Sequence, residues 1–364
     1  MTRIVQVVGH AAGGIGVHVA DLAAGLRDAG ETVRVVAPAA TAERFELGDV
    51  DTLAWPARTS PSAYLRGLGR LRRLVAGSDV VHAHGHQAGI TALLAATGTG
   101  VPVVISWHNA VLARRGPGAV AEAWQARRAA LVTGASQDLV DRAAHLGARE
   151  ADLAPVAAPA AGSYAGTRGQ ARAAVAAAVG IVDDPDEVWA LTVSRIAPQK
   201  DLGVLVEAAR TVAADGGVAV RWFVVGDGEE GLRAELETAA AGLPLHLVGA
   251  RDDVPFWMAA SDLLVVPSRW EARALVVQEA LAAGLPVVAT DVGGLPELVT
   301  GCGSLVPVGD AAAVAAAVTH LAAHPDRRAE LGRAARDRFA ELPTSADVVT
   351  AWRRRYDAVV SARR

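Results

Sequence analysis

The sequence predicts an α/β protein made of two doubly wound parallel sheets, and three observations carry that expectation. Its 364 residues exceed what one core usually holds, at about 150 residues per domain. Short β-branched runs alternate with longer Ala/Leu-rich segments of helical period, as in βαβ units. The alternation breaks from Leu153 to Gly169, where the composition turns to Ala, Pro, Gly and Ser, and then starts again. The expected division is therefore 1–160 and 161–344, with a terminal helix over 345–364.

In the first domain the strand candidates are Ile4-Val8, Thr32-Ala37, Asp79-His82, Pro102-Trp107 and Leu131-Gly134. Helices fall between them, for example Ile15-Ala29, closed by Gly30 as a left-handed cap. The second domain repeats the pattern with strands Val188-Ser194, Val220-Gly226, Leu245-Val248, Leu263-Val266 and Pro286-Thr290, and with helices that include Leu202-Ala213 and Leu232-Ala241. Residues Asp310 to Arg364 read as three helices. The last, about Ser345-Ser361, carries apolar Val348, Val349, Trp352, Tyr356 and Val359 and is expected to pack back on the first domain. Ligands of open α/β sheets lie beyond the carboxyl ends of strands, so two Rossmann-like domains facing across a cleft are expected to place the site between them.

Composition narrows the function classes. Lys plus Arg (35) against Asp plus Glu (39) gives −4, with 52% apolar and 20% charged residues. That excludes a disordered chain or a general nucleic-acid binder. Cys302 is the only cysteine, so no internal disulfide exists and a reducing, cytoplasmic location is expected. The run Gly9 to Gly14 divides the apolar start into strand and helix rather than a signal-peptide core. The charge-free stretch Gly85 to Ala113 is broken by Gly98, Gly100 and Pro102 and reads as helix, turn, strand rather than a membrane span.

The strongest local signal runs from Pro267 to Glu297. A strand ends, a loop presents Glu271, a helix starts near Ala274 and carries Glu279, and a strand returns at Pro286. Unpaired amides at such a helix start bind phosphate, and two carboxylates eight positions apart can hold hydroxyls along an extended ligand. The competing reading is a helix-stabilising N-terminal charge plus one solvated Glu.

This passage, together with Ser194-Arg195-Ile196-Ala197-Pro198-Gln199-Lys200, Val225-Gly226-Asp227-Gly228 and Gly13-Gly14, resembles the retaining GT-B glycosyltransferases of the large Glu-x7-Glu family, which includes bacterial mannosyl- and glucosyltransferases. The resemblance covers essentially the whole chain. It implies an N-terminal acceptor domain and a C-terminal nucleotide-sugar donor domain. It also implies that Arg195 and Lys200 are the cationic pair on the donor diphosphate, stabilising the charge that builds on the leaving group. By the same carry-over Glu279 holds the ribose hydroxyls, Glu271 faces the donor sugar, and the amides of Ala274, Leu275 and Val276 meet the phosphates. Gly13 and Gly14 lie near the diphosphate and acceptor, where the absence of a Cβ allows close approach; a tight βα turn is the plainer account of them. His108, at a strand end, matches the histidine that reaches the donor sugar. Asp227 is expected to be structural.

No metal and no cofactor are expected; the donor is a UDP- or GDP-sugar. The run His82-Ala83-His84-Gly85-His86 has alternate residues on one strand face, yet the family carries a similar pair there without a metal. His10, His18, His145, His246, His320 and His324 show no ligand spacing. Arg66, Arg70, Arg72 and Arg73 accompany Leu65, Leu68, Leu71, Leu74 and Val75 on an amphipathic helix. It is either a solvated face or a peripheral contact with an anionic inner membrane surface.

The chain departs from the family in one place. The family writes Glu-Gly-Phe-Gly where this chain has Glu271-Ala272-Arg273-Ala274, so the loop must use ordinary dihedrals or carry strain of about 1 kcal/mol or more. Arg273 either strengthens phosphate binding or pairs with Glu271. Three functions follow: transfer of a hexose to an acceptor hydroxyl with retention, a nucleotide-sugar epimerase on the same scaffold, or a non-catalytic nucleotide-sugar-binding relative.

Overall fold

The computed structural model describes residues 1–11, 13–48, 50–53, 60–110, 116–154, 156–157 and 164–363. The chain divides into two compact units, Met1–Ala157 with Pro343–Arg364, and Ala158–Leu342. Each holds one parallel sheet.

In the first unit the elements run β1 (Arg3–Val8), α1 (Gly14–Asp28), β2 (Thr32–Ala37), α2 (Ala39–Arg44), β3 (Val50–Thr52), α3 (Pro61–Ala76), β4 (Val80–His84), α4 (His86–Ala96), β5 (Val103–Trp107), α5 (Pro117–Arg128), β6 (Leu131–Gly134), α6 (Gln137–His145) and β7 (Ala151–Leu153). The sheet order is β3-β2-β1-β4-β5-β6-β7. Strands β1, β4 and β5 are almost continuously buried, as expected where helices cover both faces. Local chemistry sets the helix ends. Ser60 caps α3 ahead of Pro61, and α1 stops before Gly30, whose φ is +87°.

The second unit runs α7 (Arg168–Val179), β8 (Val188–Val193), α8 (Leu202–Asp215), β9 (Val220–Val225), α9 (Glu230–Ala239), β10 (Leu245–Gly249), α10 (Val254–Ala260), β11 (Leu263–Val266), α11 (Leu275–Ala283), β12 (Val287–Thr290), α12 (Leu295–Val299), β13 (Gly303–Val306), α13 (Ala311–Ala323) and α14 (Pro325–Ala340). Its sheet order is β10-β9-β8-β11-β12-β13. One core layer centres on Trp189, Phe223 and Trp257, with ring centroids 4.9 and 5.7 Å from Phe223.

The last helix, α15 (Ser345–Ser361), belongs to the first unit. A Thr344/Asp347 capping box starts it. Its Val348, Val349, Trp352, Tyr356 and Val359 join the core of that unit, while Arg353 bonds Glu31 at 2.8 Å and Arg355 bonds Asp152.

Three strands escaped the sequence reading, β3, β7 and β13, and β7 occupies the segment just before and into the expected connection. They are edge or near-edge strands of three or four residues, too short for a period to show. Strand β4 runs on to His84 rather than ending at His82, because both imidazoles are fully enclosed and pair as strand residues with β1 and β5. Of the expected connection, residues 155 and 158–163 lie outside the described residues.

Candidate functional site

Both sheets reverse their winding once: between β1 and β4 in the first unit, between β8 and β11 in the second. Crevices outside strand carboxyl ends at such switch points are where open α/β sheets bind ligands. The residues expected to carry chemistry fall at these two places, except His108, which follows β5 beside β4.

In the second unit the chain leaves β8 through Ser194, Arg195 and Ile196 and makes a 3₁₀ turn at Pro198–Lys200. The segment after β9 holds this loop. Ile196 N–H donates to the Asp227 carbonyl at 2.9 Å. A Cβ on Gly226 would stand 1.8 Å from the Ser194 carbonyl oxygen, so only glycine permits that approach. Asp227 accepts from the Gly228 N–H at 2.9 Å and from Arg233 at 3.3 Å; its role is local. The guanidinium of Arg195 is exposed and makes no ion pair among the described residues.

The loop after β11 meets the loop after β8. Lys200 Nζ donates to Glu271 Oε1, and Ser268 Oγ donates to the same oxygen at 2.8 Å. Gln199 Nε2 donates to the Trp270 carbonyl at 2.7 Å, and Arg269 N–H donates to the Gln199 carbonyl at 2.8 Å. Glu271 Oε2 accepts no hydrogen bond among the described residues, and the Lys200 ammonium retains two further donors. Burial of Glu271 at 9% exposure makes this a desolvated charge pair with one carboxylate oxygen still to satisfy.

Helix α11 begins without a side-chain cap, and its first backbone-bonded amide is that of Val277, which donates to the Ala274 carbonyl at 3.1 Å. The N–H groups of Ala274, Leu275 and Val276 precede it at the positive end of the helix. Glu279 follows on the same helix, partly buried, and desolvation pushes its carboxyl up to about 6.

The missing glycines leave no strain. Among the described residues the non-glycine positions with positive φ are Glu46 and Asp201, neither in the 271–274 loop. Arg273 does not join Glu271. It is buried, with Nη1 3.7 Å from Glu297 Oε2, and burial lowers its affinity for its proton while Glu297 opposes that shift. What supports the loop is Gly293, with φ +59°: a Cβ there would lie 1.9 Å from the Glu271 carbonyl oxygen, which accepts the Gly294 N–H at 2.9 Å.

In the first unit Gly13 caps α1 and Gly14 starts it. A Cβ on Gly13 would meet nothing within 4 Å, and its φ of −160° is open to any residue. His108 follows β5 and is buried, with Nε2 3.4 Å from His84 Nδ1. His82, His84 and His86 do not converge on a common point. His82 is committed to Tyr356 Oη and Ser106 Oγ, each at 2.7 Å. His86 Nε2 bonds the Asn109 carbonyl at 2.9 Å. His84 instead faces His108 and His18, the latter from α1. The sequence reading gave His18 no ligand role and gave no role to Ser268 or Gly293, although both of the latter lie within the Pro267–Glu297 passage.

On α3, Arg70 pairs with Asp51 at 2.9 Å and Arg72 donates to the Ala95 carbonyl at 3.2 Å. Leu71 and Val75 face the core, while Leu65 is exposed. Among the described residues no helix is long and apolar enough to cross a membrane.

Comparison with known proteins gives two successive matches: "Glycosyl transferase 4-like domain" over residues 13–159 and "Glycosyl transferases group 1" over residues 187–324. The chain belongs to the group 1 glycosyl transferases. Similar family members include a D-inositol 3-phosphate glycosyltransferase of Pseudarthrobacter chlorophenolicus, 29% identical over 89% of this chain and 85% of that one. A 65-residue stretch, spanning 17% of this chain and 18% of the relative, is 52% identical to the lipopolysaccharide core biosynthesis mannosyltransferase LpsB of Rhizobium meliloti. Among solved structures, Anabaena HepE in complex with UDP and glucose superposes with a TM-score of 0.81 at 19% identity, over 98% of this chain and 100% of that one. Sucrose-phosphate synthase from Thermosynechococcus elongatus gives 0.80 at 20% identity, over 99% and 100%. These likenesses establish the GT-B fold for this group 1 glycosyl transferase.

Proposed function

We propose that the protein transfers a hexose from a nucleoside-diphosphate sugar to an acceptor hydroxyl, without a metal and with retention of anomeric configuration. The observation that carries this reading is the meeting of Lys200 with Glu271 at the β8/β11 switch point, beside exposed Arg195 and the free amides of α11. Cations and amides there suit a diphosphate. The open oxygen of Glu271 suits a sugar hydroxyl, and Glu279, deeper on α11, suits the ribose. In the first unit, His108 at the end of β5 and the Gly13-Gly14 turn before α1 are the groups that the family resemblance suggests for donor and acceptor.

In the reaction the bond from the anomeric carbon to the acceptor oxygen forms on the face from which the phosphate oxygen leaves. The acceptor proton passes to the departing phosphate. Arg195 and Lys200 stabilise the charge on that leaving group, and the remaining groups hold the partners in line. UDP-glucose, present in a complex of Anabaena HepE, and GDP-mannose, the donor named for a Mycobacterium tuberculosis relative 41% identical over 123 residues, are the donors to test first.

The test is release of nucleoside diphosphate from each donor, alone and with inositol phosphates or lipopolysaccharide-core sugars as acceptors. Slow release that an acceptor accelerates is expected, with Arg195→Ala slowed about 10²–10³-fold and melting normally. Isomerised donor without release would replace the proposal by an epimerase. An Arg195→Ala variant at the wild-type rate would remove the leaving-group assignment.

A further inference from the structure

A cavity of about 470 Å³ lies in the second unit, lined by α14, the start of α7 and the turn that joins α11 to β12. Asp262 directly precedes β11 and Pro286 directly precedes β12, so the cavity sits at the amino ends of these strands. The loops that carry Lys200 and Glu271 leave the carboxyl ends, and the four residues of β11 put about 13 Å of strand between the two places. The walls are basic. On α14 the lining residues recur at helical spacing, Arg328, Ala329, Gly332, Arg333 and Arg336, with two small residues leaving space among three guanidinium groups. Arg168, at the start of α7, adds a fourth. A Cβ on Gly284 would run into the Arg336 guanidinium, so glycine at this turn is what lets that side chain lie against it.

The one carboxylate lining the cavity, that of Asp262, is already committed. Its Oδ1 accepts from Arg168 and lies 3.8 Å from Arg328 Nε, while Oδ2 accepts from the Trp189 N–H at 2.9 Å and from Arg172 Nη1 at 3.2 Å. Arg328 also donates through Nη1 to the Leu321 and Ala322 carbonyls, at 2.5 and 2.8 Å. Arg333 and Arg336 make no ion pair among the described residues, and Glu330, one turn before Arg333, is held by Arg327 at 2.6 Å. Four cations therefore face one saturated carboxylate, in a chain whose net charge is −4. Like charges three residues apart on a helix repel, and a shared anion would turn that repulsion into attraction. From this imbalance we propose that Arg168, Arg328, Arg333 and Arg336 form a binding site for an anion carrying at least two phosphate groups, separate from the donor site. Guanidinium forks take phosphate oxygens in pairs, and the cavity has the volume of a small-molecule site rather than a single-ion one. The inference does not rest on the transferase reading. The same chemistry is offered by a soluble polyphosphate and by a phosphorylated lipid headgroup.

The test titrates the full chain with inorganic pyrophosphate in a calorimeter, as wild type, as Arg195→Ala and as the double variant Arg333→Ala/Arg336→Ala. A pyrophosphate site is expected to survive Arg195→Ala. The double variant should weaken that site at least about 10-fold while melting normally, because both side chains are exposed. Co-sedimentation with phosphatidylcholine vesicles, with and without phosphatidylinositol bisphosphate, separates the two sources. Pyrophosphate binding without capture supports a soluble ligand; capture by the bisphosphate vesicles alone, lost in the double variant, supports a headgroup. A wild-type protein that binds neither probe, or binding that the double variant leaves unchanged, would overturn the proposal. Should the double variant fail to fold, Arg336→Gln repeats the comparison, and wild-type affinity for both probes in that variant overturns it equally.

Discussion

Replacing Glu279 by glutamine is expected to make the protein more stable and a poorer binder of nucleotides. Desolvation raises this carboxyl from an ordinary 4.5 to about 6, and no group among the described residues donates to it. The ionised form is therefore penalised in the folded state by about 2 kcal/mol, at 1.36 kcal/mol per pH unit. The sign follows from the direction of the shift. Below the unfolded value of 4.5 the carboxyl is protonated in both states and costs nothing; as pH rises through 6 it ionises in the folded protein and the full cost is felt. Glu279→Gln should thus gain about 2 kcal/mol at pH 8, or about 4–8 °C in the melting of a unit of this size, and less than about half of that at pH 5. The same variant should lose the charged acceptor for the ribose hydroxyls, at about 1.5–3 kcal/mol for a hydrogen bond to a charged group, so affinity for UDP or GDP should fall at least about 10-fold. In the wild-type protein nucleotide affinity should decline as pH drops through 6. Thermal melts at pH 5 and 8 and calorimetric titration with both nucleotides check this. A gain of equal size at both pH values would refute the burial argument, and a stabilised variant that binds nucleotide normally would refute the ribose assignment.

Two glycines are expected to behave in opposite ways. Gly293→Ala puts a Cβ 1.9 Å from the Glu271 carbonyl oxygen at a φ of +59°, so denaturant unfolding should show a loss of about 2 kcal/mol or more, with turnover lost through displacement of Glu271; an unperturbed melt would contradict the contact. Gly13→Ala enters open space at an extended φ, so stability should hold or rise by up to about 1 kcal/mol while donor turnover falls, and full turnover in that variant would make Gly13 an ordinary turn residue.

The sheets were legible because their central strands, such as β5 and β11, are buried on both faces and so read as mostly apolar runs. The edge strands β3, β7 and β13 were not, because a half-buried run of three or four residues carries no period. The end of β4 was misplaced at His82 since polar residues usually signal a strand's exit. The pairing of Lys200 with Glu271 joins positions 71 residues apart, and only knowledge of which strands flank the switch point predicts it. His18 and His84 are likewise joined by a helix folding back over the sheet, a relation no local spacing encodes.

The loop that lost its family glycines shows how such a departure is absorbed. Glycine in a ligand-binding loop is needed where the backbone must turn through positive φ or where another chain segment presses on it. At Glu271-Ala272-Arg273-Ala274 neither condition applies, because the backbone stays in ordinary regions and the segment that presses on it, residues 293–294, supplies the glycine itself. Arg273 turns toward Glu297 near the start of α12, so loop and helix are tied by a buried charge whose partner is the last residue of the Pro267–Glu297 passage. The carboxylate of Glu271 is then positioned from three sides, by Lys200, by Ser268 and by the Gly293-Gly294 turn behind its carbonyl, so the loop is held by the packing around it rather than by glycines within it.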